Sequence, residues 1–291
     1  LDLQEINDPV TLSSLDTIYY TDTQAPDETF VTATGQALAS DPDANTTFSF
    51  GITGGTSAGG IQTKAGDYGS LALNETTGAY TYTPDSDSIN TLSESRTESF
   101  EITATDGDGS TASQTLTVDI QAVNDAALFG GPASTQGFTE NGSAQLIDPS
   151  ITISDPEASD YSGGHLTFDI QTNRDADDQL VIQSTGGISV SGNTVSAGGT
   201  QIGIIDADAD GSSGKALRID LNSNAFSSQV EALARAIAFQ NDADDLTAAD
   251  RGIQIELNDG GVNGSGTPRA SFKSAAIEVT TINDLPEITL S

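Results

Sequence analysis

The 291-residue chain has no cysteine, no methionine and no tryptophan, and its single histidine is His165. Each absence removes a class of function. Without thiols there can be no disulfide scaffold, cysteine nucleophile, Cys-based zinc site or iron–sulfur cluster. One imidazole leaves a His-clustered metal site without ligands, and His165, beside Gly163-Gly164 at a strand start, reads as a surface or edge residue. Aromatic residues make up only 5% of the chain, too few for a sugar-stacking cleft. No apolar run approaches the roughly 18 residues that a membrane-crossing helix needs. Basic residues are scarce as well: 9 Lys and Arg stand against 43 Asp and Glu, for a net charge of −34. Such a field repels nucleic acid and anionic lipid, so neither nucleic acid nor direct membrane insertion is expected. No Ser sits in a nucleophile-elbow string, and the glycine-rich stretch 51–60 lacks a Lys-Ser/Thr ending, so it reads as a flexible loop and not a phosphate cradle. An enzyme is not expected. The chain begins at Leu1 without a signal peptide and reads as a segment of a longer polypeptide.

What the sequence does hold is carboxylate of one kind. It has 31 Asp against 12 Glu, whereas acidification for solubility or for life in brine would enrich both. Asp suits tight loops that wrap a cation. It is also bunched, in Asp41-Pro42-Asp43, Asp106-Gly107-Asp108-Gly109, Asp155-Pro156-Glu157 and Asp206-Ala207-Asp208-Ala209-Asp210-Gly211. Calcium, a hard cation with six to eight oxygen ligands, is the expected partner.

An internal repeat orders these clusters. Ile6-Asn7-Asp8-Pro9, Val123-Asn124-Asp125-Ala126 and Ile282-Asn283-Asp284-Leu285 each end a strand-like run, and their Asn residues are 117 and 159 positions apart. Periods this long indicate tandem domains. Residues 1–8 then end a preceding domain, 9–125 and 126–285 are the two modules, and 286–291 begin the next linker. Within each module an acidic stretch precedes a Ser-Asp-Pro-acid turn, and an alternating strand later runs into an Asp-Gly loop. Alternation such as Ser99-Phe100-Glu101-Ile102-Thr103-Ala104-Thr105 is half-buried strand chemistry, and Leu71 to Leu73 with Tyr80 to Tyr82 form a hairpin. About seven short strands per module describe an all-β chain of two tandem Ig-like β-sandwich domains. One segment near 228–238 differs. Val230, Leu233, Ala234 and Ile237 fall at helical spacing, with Ser228 and Glu231 as a capping box, so the second sandwich carries a short helix.

The first module resembles the VCBS repeats of large bacterial surface adhesins, through Gly69-Ser70-Leu71-Ala72-Leu73, Thr77-Gly78-Ala79-Tyr80-Thr81-Tyr82, the Asp106 to Gly109 loop and Val123-Asn124-Asp125. The second is similar to another cadherin-like repeat of those adhesins, through Gly214 to Ile219, Val230 to Asn241, Asp250-Arg251 and Asn258-Asp259-Gly260-Gly261. The resemblance implies RTX-type adhesins, exported by type I secretion to the extracellular cell surface, with calcium at module junctions and neighbouring repeats of the same chain as partners. It places Asn124, Asp125, Asp155, Glu157 and Asp259 at the central junction, with Glu28 and Glu98 completing the shell. It places Asn7, Asp8, Asp41, Asp43 and Asp106 at the preceding junction, and Glu140, Asp250, Asn283 and Asp284 at the following one. Asp108, Asp206, Asp208 and Asp210 are weaker candidates. The Asp206 run begins like an EF-hand loop but has Leu217 at the twelfth position, and reads more readily as an acidic hairpin loop. Ordinary turn formation explains any one of these motifs, since Asp-Pro, Asn-Asp and Asp-Gly all favour turns; their repeated order favours ligation. The expectation is a monomeric, calcium-rigidified spacer. A ligand-binding second module and a metal-free halophilic module are the alternatives.

Overall fold

In the computed structural model, residues 7–23, 29–43, 46–157, 160–261 and 267–283 are described. Two compact units divide the chain, Leu1–Val123 and Asn124–Ser291. Both are β-sandwiches, as the alternation predicts.

In the first unit, Ile18–Thr21, Thr111–Gln121, Arg96–Thr105 and Ser49–Ile52 form one sheet in that order. Ala33–Gln36, Ala79–Pro84, Gly69–Asn74, Ile61–Ala65 and Thr56–Ala58 form the other. The period-two rule fixes which face is buried. Along Arg96–Thr105, Phe100, Ile102 and Ala104 point inward while Glu101 stays exposed, and Leu71, Leu73 and Tyr82 face them from the second sheet with no exposed surface. Each fully buried large side chain contributes on the order of 1.5–3 kcal/mol. The Leu71–Tyr82 pairing confirms the hairpin. The glycine-rich stretch is not a flexible loop: it is the hairpin Thr56–Ala58 with Ile61–Ala65, closed by Gly59 and Gly60 at positive φ. A one-turn helix, Ser86–Asn90, which no periodicity announces, starts where Asp85 accepts a hydrogen bond from the Ser88 amide.

In the second unit the large sheet runs Ser134–Thr139, Ala270–Thr280, Arg251–Asn258, His165–Thr172, Leu217–Leu221, Thr200–Asp210, Thr194–Ala197, Ile188–Ser191. Opposite it lie Gln145–Leu146, Ile237–Asn241 and Asp178–Ile182. The helix is Ser227–Arg235, and it buries Val230, Leu233 and Ala234 as its apolar stripe requires. It ends earlier than expected: Ile237 instead begins a strand that pairs with Asp178–Ile182, where a β-branched residue fits better. Nor does the capping box form. Phe226 is the N-cap and supplies no side-chain bond. Ser228 pairs with Gln229, while Glu231 accepts from the Ile153 amide and pairs with Arg235 one turn on. His165 also departs from expectation. It lies on a central strand, partly buried, 3.6 Å from Glu256, and burial, together with nearby Arg218, pulls its pKa below the usual value.

Candidate functional site

At the start of the second unit the residues of three distant strings meet. The Asn124 side-chain amide donates to Asp259 Oδ2 at 2.9 Å, and the Asp125 backbone N–H donates to Glu157 Oε2 at 2.9 Å. The Glu157 N–H in turn donates to Asp155 Oδ1 at 3.2 Å. Local chemistry explains each piece. Pro156 fixes the turn that lets the Asp155 carboxylate accept from two residues on. Gly260 and Gly261 sit at φ of 76° and 81°, which lets the loop fold back so that Asp259 Oδ1 accepts from the Gly261 and Arg269 amides.

The first unit repeats this wiring residue for residue. The Asn7 side chain donates to Asp106 Oδ2 at 3.4 Å, the Asp8 N–H to Asp43 Oδ2 at 2.8 Å, and the Asp43 N–H to Asp41 Oδ1 at 2.7 Å. Asp106 Oδ1 accepts from the Asp108 and Ser110 amides, as Asp259 does from its own loop. Burial opposes the charge on Asp106, but these amides hold its carboxyl below the ordinary range. Turn formation explains the local bonds within each loop. It does not explain why the same three strings should be joined to one another twice.

The second cluster is the more buried. Asp125 and Asp259 have no exposed surface, and Asn124 and Glu157 are nearly covered. Burial pushes the Glu157 carboxyl up to about 8; the charges of Asp125 and Asp155 add to the rise, against the lowering from the Asp125 N–H. Among the described residues no ion pair reaches Glu157 or Asp259. Asn124 Oδ1 is buried without a donor, as is Asp41 Oδ2 in the first unit. A buried acceptor left unsatisfied costs about 1–3 kcal/mol, and more when charged. The donor set is hard oxygen throughout, which suits calcium. Among the described residues, however, no three acidic or imidazole side chains converge on one metal-holding point; here they are linked through each other's amides.

Gly164 governs the fit of this loop. A Cβ there would stand 2.1 Å from the Asn258 carbonyl oxygen and 2.8 Å from the backbone of Asp259 and Gly260. Gly164→Ala is therefore expected to displace Asp259, lowering the melting temperature of the second unit by several degrees, as a loss of about 1–3 kcal/mol would. Differential scanning calorimetry checks it; an unchanged transition would show that the loop position is not held by this contact.

At the other end of the second unit, Glu140 is almost fully buried and accepts from the Leu246 and Ile282 amides. Those bonds hold its carboxyl below the usual value. Asp250 accepts from the Val279 amide. Both therefore brace the segment that leads to Asn283, which lines an open cleft with Glu140 and Asp245. Asp245 was not singled out from the sequence, although the acidic tract Asp242 to Asp245 was its signal. Glu98 is committed inside its own unit, accepting from the Asp67 and Tyr68 amides and the Tyr82 hydroxyl. Asp206, Asp208 and Asp210 lie on the outer part of a strand: Asp206 accepts from the Asp208 amide, and Asp210 accepts from Ser212 and Lys215. They form local turns instead of a twelve-residue loop around a centre. Glu28 and Asp284 lie outside the described residues.

Residues 8–122 match the family model of the bacterial cadherin-like domain. No curated protein matches the sequence. Among solved structures, the chain is similar to human CDH23 EC21-23 at 14% identity, covering 94% of this chain and 70% of that one with a TM-score of 0.37. It is similar to human Protocadherin-24 EC1-2 at 15% identity, 91% and 95% coverage and a TM-score of 0.36. For mouse Cadherin-23 EC22-24 the values are 12%, 96%, 68% and 0.35. No helix among the described residues is long and apolar enough to cross a membrane.

Proposed function

We propose, from the match of the first unit to the bacterial cadherin-like domain and from the twice-built carboxylate cluster, that the chain is a calcium-rigidified spacer of a bacterial surface adhesin. In this reading it belongs to an RTX-type protein, exported by type I secretion, whose repeats hold a distal binding region away from the cell. Asn124, Asp125, Asp155, Glu157 and Asp259 would hold calcium at the start of the second module, and Asn7, Asp8, Asp41, Asp43 and Asp106 at the start of the first. Glu140, Asp250 and Asn283, with Asp284, would serve the junction that follows. Calcium supplies positive charge where buried carboxylates crowd.

The observation that carries the reading is the repeated link from linker Asn-Asp to the Asp-Pro-acid turn and the Asp-Gly loop. This chain's own residues tie the linker to the module through amide donors, so the carboxylates sit where the linker leaves. Without a cation their repulsion loosens that attachment. Extracellular modules bind calcium at about 10⁻⁴–10⁻³ M, a level met outside cells and not in the cytosol. Small-angle scattering and calorimetry with millimolar calcium and with chelator test the proposal. Calcium is expected to raise the melting temperature and narrow the distribution of particle dimensions; identical profiles in both buffers would overturn it.

A further inference from the structure

Charge is not only clustered in this chain but also withheld from particular strands. The two longest stretches without a charged side chain are residues 179–205 and 44–63. The first contains Ile188–Ser191, the outermost strand of the eight-stranded sheet, and the second contains Thr56–Ala58, the outermost strand of the five-stranded sheet. The next two longest, 126–139 and 29–40, contain Ser134–Thr139 and Ala33–Gln36, the strands at the opposite ends of those same sheets. A chain of net charge −34 thus leaves the edges of both large sheets uncharged. Edge strands expose unpaired backbone donors and acceptors, and proteins that must not pair through them place charges there.

The edge at Ile188–Ser191 is the most complete. Ile188 is buried and Val190 half-buried, while Ser189 and Ser191 face solvent. Their cross-strand partners Ser196 and Thr194, and Ile204 beyond Thr194, continue the same uncharged face over three strands. The first acidic side chains reached are Asp206 along the strand and Asp220 across from Ile204. The chain turns back at Gly192-Asn193 to pair Ile188–Ser191 with Thr194–Ala197, and among the described residues no strand pairs with its outer side.

We propose that Ile188–Ser191 is a self-association edge, through which two copies of this chain pair antiparallel about a two-fold axis and join their eight-stranded sheets. A second copy is the occupant that the charge distribution favours. At physiological ionic strength charges act over about 8 Å, so two strongly acidic molecules can approach closely only where neither presents a carboxylate, and an isologous contact places this edge against itself. A basic partner would be drawn to the acidic surfaces instead. Four residues form few backbone bonds, so single copies remain monomeric at micromolar concentration, and the contact gains strength when many repeats lie side by side.

Sedimentation equilibrium from micromolar to millimolar concentration, in 0.15 M and 0.5 M sodium chloride, tests this. The full chain is expected to dimerise weakly, and more strongly at the higher salt because screening relieves the general repulsion. Ser189→Glu/Ser191→Glu, at exposed positions, is expected to weaken the dimer at least tenfold with its melting temperature unchanged. Should that variant lose stability, Ser189→Glu alone provides the charged edge. A chain that stays monomeric to millimolar concentration, or a folded charged-edge variant that dimerises as well as the parent, overturns the proposal.

Discussion

Asp178→Ala is expected to destabilise the second unit by about 3–5 kcal/mol, lowering its melting temperature by on the order of 10 °C or more. Asp178 and Arg251 are both without exposed surface. Their contact is forked, with Arg251 Nε on Asp178 Oδ2 at 2.9 Å and Nη2 on Oδ1 at 3.2 Å. The Asn241 side chain and the Asp175 amide complete the carboxylate at 2.8 Å each. On the other side, Arg251 Nη1 donates to the carbonyls of Thr247 and Ala249. Every polar atom is thus held, and removing the carboxylate strands a guanidinium in the core. The cost belongs to the stranded charge and not to the pair itself. Asp178→Leu/Arg251→Met, which removes both charges, is therefore expected to recover most of the loss. Calorimetry on the whole chain reads the effect as a shift of one transition while that of the first unit stays in place. A shift below about 1 kcal/mol in the single variant would mean that water reaches the guanidinium.

That pair also marks the limit of what the sequence disclosed. Asp178 and Arg251 are 73 residues apart, and nothing in either neighbourhood distinguishes them from the surface charges around them. The sheets were legible because burial on one face imposes a period of two, which Phe100, Ile102 and Ala104 display without any knowledge of partners. The carboxylate clusters were legible for a different reason. Each consists of short strings whose order repeats, so the repeat supplied the long-range information that a single motif lacks. Where local pattern and tertiary pairing competed, pairing won: helical spacing through Ile237 yielded to the strand beside Asp178–Ile182, and glycines at 51–60 that looked flexible close a hairpin. Glu98 shows the same limit, since its partners Asp67, Tyr68 and Tyr82 lie on elements that only folding brings together.

Glu157→Gln is expected to change stability in opposite directions with and without calcium. In the metal-free protein, burial and the neighbouring Asp125 and Asp155 push the Glu157 carboxyl from 4.5 up to about 8. A carboxyl whose pKa is higher folded than unfolded binds more protons in the folded state between those values. Its effect on stability is therefore nil below about pH 4.5 and increasingly unfavourable as the pH rises toward 8. Glutamine keeps an oxygen for the Asp125 N–H and removes the charge. In chelator at pH 8 the variant should melt above the parent, and its stability should fall less between pH 5 and pH 8. With calcium at about a hundred times its dissociation constant, the parent gains about 2.7 kcal/mol by linkage, while the variant, lacking one anionic donor, gains much less and ends below the parent. The reversal separates two accounts of the cluster. If Glu157 merely caps a turn, its neutral isostere should behave alike in both buffers, and the same would be true if calcium bound elsewhere. A variant that melts below the parent in chelator at pH 8 would show that no electrostatic strain is stored in this cluster, and a calcium gain equal to that of the parent would remove Glu157 from the ligand set.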